Sequence, residues 1–207
     1  MIKLVIATGN PGKIRDFQHV FDIAGKAVEV LSMQAYGGMP EVEETAPDFT
    51  GNARLKAEAA RKLVPQDQEL WVMADDSGLS VDALDGAPGV HSARFAGPSA
   101  TDADNRHKLL TLLEGKPAEE RAAHFTCNIC LISPKGEVFH FEGTSEGTIA
   151  FAASGDQGFG YDSLFIPTGS QKTWGDVEPH LKHAESHRAK ATKKLLEGLS
   201  FIGKNKK

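Results

Sequence analysis

Only two of the 207 residues are cysteine, Cys127 and Cys130, and no second pair accompanies them. That excludes a disulfide scaffold and a four-thiolate zinc site. Their CxxC spacing falls inside the apolar run Phe125-Thr126-Cys127-Asn128-Ile129-Cys130-Leu131-Ile132. In a strand, residues three apart face opposite sides, which argues against a metal knuckle or a redox turn. Core thiols are the better reading, and they fit a reducing cytoplasm. No apolar run is long enough to span a bilayer, and the start, Ile2 to Ala7, reads as a strand rather than a signal peptide. A membrane partner is therefore not expected. Positive charge is in deficit: 23 Lys and Arg stand against 28 Asp and Glu, for a net charge of -5. A general affinity for nucleic acid is not expected either. The basic end Lys204-Asn205-Lys206-Lys207 reads as a solvated tail. Repeats, low-complexity tracts and an interdomain linker are missing. What remains is ordinary for a globular protein, 40% hydrophobic and 25% charged. The length allows one large domain or two lobes sharing a sheet.

Periodicity outlines the elements. A first strand leads into a helix with Ile14, Phe17, Val20 and Phe21 on one face, and a second strand is expected from Ala27 to Leu31. The stretch Ser32 to Ala46 reads as loop. A helix from Asp48 to Leu63 turns Phe49, Ala53, Ala57 and Ala60 inward. Leu70 to Ala74 reads as a short buried strand, and Gly86 to Gly89 as a turn-rich loop. Thr101 is placed to cap a helix running to Leu113. A hairpin is expected from Ala122 to Ile149, a short strand over Leu164 to Ile166, and a last helix from Glu185 to Leu199. Strand–helix units beside a long hairpin imply a mixed sheet in an α/β protein.

Five segments could carry chemistry, and each has a plainer alternative. Asp75-Asp76-Ser77-Gly78 puts adjacent carboxylates directly after the short strand. A metal ion would stabilise them, which suggests phosphate chemistry; an Asx-turn into Gly78 is the alternative. Thr8-Gly9-Asn10-Pro11-Gly12-Lys13 joins a strand to a helix N-terminus. It is neither a Walker A loop nor GxGxxG, so it is a phosphate-binding turn of another kind or a plain connection. Glu43 and Glu44 are a solvated acidic edge or a third carboxylate for a metal shared with Asp76. Gly158-Phe159-Gly160-Tyr161-Asp162 sets two aromatics and a carboxylate among glycines, fit either to stack on a base or to plug a core. Ser186-His187-Arg188, with Lys182 before it, is a helix cap with solvated charge or a cluster of hydrogen-bond donors.

Taken in order, these segments resemble the ITPase family of non-canonical purine nucleoside triphosphate pyrophosphatases (XTP/dITP diphosphatases). The resemblance is carried by Ala7 to Lys13, Glu43-Glu44-Thr45, Ala74 to Leu79, Gly86 to Val90 with Ser92-Ala93-Arg94, Gly158 to Asp162, and Ser186-His187-Arg188. It spans nearly the whole chain. It implies an α/β, ITPase-like (Maf/Ham1-like) fold: one domain over residues 1–207, an elongated mixed β-sheet flanked by helices, and two lobes with a central cleft. It also implies Mg²⁺-dependent hydrolysis of ITP, dITP and XTP to the monophosphate and pyrophosphate, in a cytoplasmic homodimer.

Residue roles follow from the resemblance alone. Thr8, Gly9, Asn10 and Lys13 would hold the triphosphate. Glu43 and Asp76 would carry the metal, with Asp75 as a second ligand or orienter and Asp76 also handling the attacking water. Ser77 would touch the substrate. Phe159 would stack on the base, flanked by Gly160 and Tyr161, and Asp162 would hold its edge. Lys182, His187 and Arg188 would read the purine. A donor set accepts the 6-keto group of hypoxanthine or xanthine, whereas adenine would leave buried donors unpaired. Three departures stand out: Gly51 before Asn52 where the family often has Glu, Ser163 where it commonly has Pro, and Gly175-Asp176-Val177 with Leu181-Lys182-His183 in a stretch that differs from the family pattern. Two alternatives follow, a pyrophosphatase with another base preference and a nucleotide-binding module that does not hydrolyse.

Overall fold

The computed structural model describes residues 2–23 and 28–204. Ala27, the expected start of the second strand, and Asn205 to Lys207 of the basic tail lie outside the described residues. The strands are β1 (Ile2–Ile6), β2 (Val28–Ser32), β3 (Leu70–Val81), β4 (Ala122–Ile132), β5 (Val138–Ile149) and β6 (Phe165–Pro167). The helices are α1 (Pro11–Ile23), α2 (Phe49–Leu63), α3 (Asp102–Leu112), α4 (Pro179–Glu185) and α5 (His187–Lys204). The strands pair in a six-stranded sheet of order β2-β1-β3-β4-β5-β6. β1 runs parallel to β2 and to β3, while β5 and β6 are antiparallel, so the sheet is mixed as expected.

The chain divides into two compact units. Unit 1 takes the residues up to Asp76, Cys127–Gly143 and the residues from Arg188; unit 2 takes Ser77–Thr126 and Thr144–His187. In unit 1, strand alternation sorts the core. Leu4, Ile6, Trp71, Met73, Cys127 and Ile129 pack with Phe17 and Phe21 of α1 and with Ala191, Leu195 and Leu199 of α5. Val5, Val72, Ala74, Cys130 and Ile132 pack with Ala53, Ala57 and Ala60 of α2. The two cysteines therefore sit in different clusters, and both are free and buried. In unit 2, Leu79, Leu109, Phe125, Tyr161, Phe165 and Trp174 share a third cluster.

Local chemistry explains the helix starts. Asp48 caps α2 by accepting from Gly51 N–H at 2.7 Å. Thr101 and Asp104 form a reciprocal capping box on α3. Asn10 Oδ1 accepts from Gly12 N–H at 2.8 Å, and Pro11 takes the first position of α1, where an N–H is not needed.

Three expectations are corrected. The strand read as Leu70 to Ala74 continues to Val81, so Asp75 and Asp76 lie inside β3 and no turn follows them. The last helix, expected from Glu185 to Leu199, starts at His187 and runs to Lys204, and a separate helix α4 precedes it across the extended Ser186 (φ -66°, ψ 157°). The loop from Ser32 contains a 3₁₀ turn, Met33–Tyr36, capped by Ser32. Among the described residues no helix is long and apolar enough to cross a membrane.

Candidate active site

Two adjacent carboxylates in one strand point to opposite faces. Each consequently meets its own lysine. Lys13 of α1 donates to Asp75 Oδ2 at 2.7 Å, and Lys56 of α2 donates to Asp76 Oδ1 at 2.5 Å. Lys56 also reaches Glu44 Oε1 at 3.2 Å. These pairs are well shielded: the side chains of Asp75 and Asp76 are 1% and 9% exposed, and that of Lys56 13%. The expectation of Asp75 as a second ligand beside Asp76 meets this split of faces: Asp75 is held by Lys13 on the other side of the sheet.

The two aspartates differ electrostatically. Burial would raise Asp75, but the charges of Lys13, Arg188 and Lys56 outweigh it and hold its carboxyl well below the usual range. Burial raises Asp76 above its ordinary value; Lys56 and Lys13 oppose the shift, and Glu44 adds to it. Lys56 is raised too: burial works against its charge, and Asp76, Asp75 and Glu44 prevail. Asp76 thus carries the more basic carboxylate. Its Oδ2 is buried and has no hydrogen-bond partner. An ionised oxygen in that state is costly unless something positive or protic meets it.

The turn Thr8-Gly9-Asn10 is open to solvent ahead of α1. Thr8 Oγ1 accepts from Asn10 N–H at 3.1 Å, and a Cβ added at Gly9 would meet nothing within 4 Å. The helix N-terminus and Lys13 lie directly after it, which suits an anion. Glu43 is exposed, whereas Glu44 is half-buried against Lys56. Among the described residues no group of three or more His, Cys, Asp or Glu assembles that could hold a metal by itself. Magnesium, which takes few protein ligands and completes its shell with phosphate and water, is compatible with the free oxygen of Asp76.

Unit 2 holds the second candidate set. Phe159 is 37% exposed. Asp162 Oδ2 accepts from Phe159 N–H at 2.8 Å and from Lys182 Nζ at 2.5 Å. Lys182 Nζ lies 5.2 Å from the centre of the Phe159 ring. A partly exposed aromatic ring therefore stands beside a buried ion pair. Gly158 has φ +80°, and a Cβ there would come within 2.1 Å of Asp162 Oδ2, so only glycine fits. Tyr161 is different: it is buried, its hydroxyl donates to the Ser92 carbonyl at 2.9 Å, and burial pushes its phenol pKa up. It fills the core as the plainer reading held. Gly160 lies between these two aromatics with φ +61°. Ser77, the first residue of unit 2, is half-buried.

His187 is buried, its ring stacked 4.8 Å from Phe125 and 5.7 Å from Trp174. Arg188 belongs to unit 1, where it donates to Asp16 Oδ2 at 2.6 Å. Each of the expected purine-reading residues thus has its own neighbours: Lys182 beside Asp162, His187 between Phe125 and Trp174, and Arg188 against Asp16. Sequence reasoning missed Lys56, Asp16 and the contact of Glu44. Lys56 had a signal: it lies on the buried stripe Asn52, Ala53, Ala57, Ala60 of α2, where a lone cation needs a partner. Gly51 gains a reason as well. A Cβ there would meet Ala46 Cβ at 2.4 Å, so the approach of the preceding loop leaves no room for a larger residue.

Comparison with known proteins covers nearly the whole chain. The family model described as "Ham1 family" matches residues 4–198. A dITP/XTP pyrophosphatase of an Exiguobacterium species is 46% identical over 194 residues, covering 94% of this chain and 95% of that protein. One from Geobacillus kaustophilus is 46% identical over 197 residues, covering 95% and 94%. The solved structure of a HAM1 protein from Coxiella burnetii has a TM-score of 0.84 at 35% identity, covering 97% of this chain and 99% of that one. The chain belongs to the Ham1 family.

Proposed function

We propose that this protein hydrolyses dITP, ITP and XTP to the nucleoside monophosphate and pyrophosphate, with Mg²⁺. The observation that carries the reading is Asp76: a buried carboxylate with a raised pKa, one oxygen paired with Lys56 and the other without a partner. Such a group can accept a proton from water near neutral pH better than an ordinary surface carboxylate. Water oxygen bonds to the α-phosphorus, and the bond from that phosphorus to the α–β bridging oxygen breaks. Pyrophosphate departs with that oxygen, and Asp76 takes the water proton and passes it to solvent.

Thr8, Gly9, Asn10 and Lys13 bind the triphosphate, and Lys56 exchanges part of its contact with Asp76 for a phosphate oxygen. Ser77 touches the substrate beside Asp76. Glu43 and Asp76 would hold Mg²⁺, which would supply positive charge to screen the phosphates. Asp75 stays ionised and keeps Lys13 in place. Phe159 stacks on the base with Gly160 beside it, buried Tyr161 supports the loop from the core, and Asp162 accepts the N1–H that hypoxanthine and xanthine carry. Lys182, His187 and Arg188 favour a 6-keto purine. Discrimination against adenine then reaches about 10⁴-fold, because its amino group would leave buried donors unpaired.

The two units act together as one catalytic domain of two lobes, and the enzyme works as a homodimer in the cytoplasm. The homodimer is what the family resemblance implies, and the buried thiols, outside any disulfide, suit a reducing compartment. A substrate panel with product identification tests the reading. Pyrophosphate from ITP and XTP, with little from ATP, is expected. Orthophosphate as the first product would overturn cleavage between the α and β phosphates.

A further inference from the structure

The loop that presents Phe159 closes on itself through Asp162, which accepts from Phe159 N–H at 2.8 Å, but two glycines interrupt it. Gly158 (φ +80°) and Gly160 (φ +61°) flank the ring on both sides, and glycine leaves the backbone the most freedom. Yet both peptide groups that follow Phe159 are gripped by one helix. Gly160 N–H donates to Asp102 Oδ2 at 2.7 Å, and Arg106 Nη1 donates to the Gly160 carbonyl at 2.7 Å. Asp102 and Arg106 are four residues apart on α3 and so share a face. The helix is itself anchored. Besides its capping box, buried Asn105 accepts from Ala96 N–H at 2.8 Å and donates to the Ala93 carbonyl at 3.1 Å. All of these residues lie in unit 2.

We infer that Asp102 and Arg106 are positioning residues for base recognition: their grip on Gly160 sets the plane of Phe159 and the direction of Asp162. The inference rests on the proposed role of Phe159 and Asp162 in holding the base. Both bonds involve a charged partner and a backbone group, the stronger kind of hydrogen bond. Releasing either leaves a two-glycine segment to be ordered again each time substrate binds.

The test uses the full-length enzyme with Mg²⁺ and the variants R106L, R106K, D102A, D102N and F159A. KM and kcat are measured for ITP and XTP, together with inhibition by inorganic tripolyphosphate, which has no base. R106L and D102A should raise KM for ITP and XTP by about tenfold, the loss of one charge-assisted hydrogen bond, with a smaller change in kcat. Inhibition by tripolyphosphate should stay at the wild-type level. R106K and D102N retain a donor and an acceptor and should recover most of the loss. If R106L and D102A keep wild-type KM while F159A raises it, the grip does not position the loop, although base stacking stands. If F159A leaves KM unchanged, the base-holding role itself fails, and this inference with it. Equal weakening of tripolyphosphate and ITP binding would mark a general folding defect and overturn the positioning role.

Discussion

Replacing Lys56 by Met is the sharpest perturbation available, because it removes one charge and little volume. Lys56 Nζ touches Asp76 at 2.5 Å and Glu44 at 3.2 Å. Its loss leaves Asp76 buried with neither oxygen compensated, since Oδ2 already lacks a partner. Breaking a buried ion pair from one side costs about 3 kcal/mol when the remaining group stays ionised. For a chain of this size that corresponds to roughly 6–12 °C in melting temperature. The sign depends on pH. Asp76 has a raised folded pKa, so its ionisation in the folded protein lowers stability as pH rises from the ordinary carboxylate value, 3.8, through the raised one. Lys56 now opposes that rise, so K56M should push the folded value higher and stretch the window upward. The stabilising contribution of Lys56 itself is present throughout this range, because its own raised pKa is lost only above the ordinary 10.5. The deficit of K56M should therefore be small near pH 5 and large near pH 8, with the acidic limb of kcat/KM moved upward. Thermal denaturation at the two pH values, with pyrophosphate release across the range, measures both. The double variant K56M/D76N should regain most of the lost stability, since it removes the stranded charge. A K56M protein that melts like wild type near pH 8, or a double variant no better than the single, would refute the reasoning.

Other outcomes are expected from the same geometry. D76N should lose nearly all turnover while the fold stays intact, because Lys56 keeps Glu44 as a partner; retained turnover would take Asp76 out of the mechanism. E43Q should raise the Mg²⁺ concentration needed for half-maximal rate, whereas E44Q should mainly shift the acidic limb of the pH profile downward by removing a neighbouring negative charge; titration of rate against Mg²⁺ and pH separates them. G158A should disturb Asp162 and raise KM for ITP, as both its φ of +80° and the 2.1 Å approach to Asp162 forbid a side chain; unchanged kinetics would count against the loop's role. G51E should lower the melting temperature, because its Cβ would meet Ala46 at 2.4 Å, and unaltered melting would show that the loop yields freely.

The helix caps at Asp48 and Thr101, the alanine stripe of α2 and the two-faced cysteines were all legible in the chain, because capping and periodicity act over a few residues. So was the family, since the motifs that carry the resemblance keep their order along the chain. The run from Leu70 suggested a strand but not its length. Local propensity stops at two aspartates, and only the lysines brought in from α1 and α2 let β3 continue through them. The pairing of Arg188 with Asp16 joins residues 172 positions apart, and no local rule predicts it. Gly51, a departure by sequence, became a packing requirement once Ala46 was seen against it.

The sequence by itself determined most of the elements, the family and the order of the motifs able to do chemistry, but neither the length of β3 nor the part of Lys56. Only the tertiary structure decided which group faces which. Adjacent residues in a strand diverge, so Asp75 became the partner that holds Lys13, and Asp76 became the buried carboxylate with an oxygen to offer. That division depends on charges arriving from distant segments, and proximity of that kind exists only after the chain has folded.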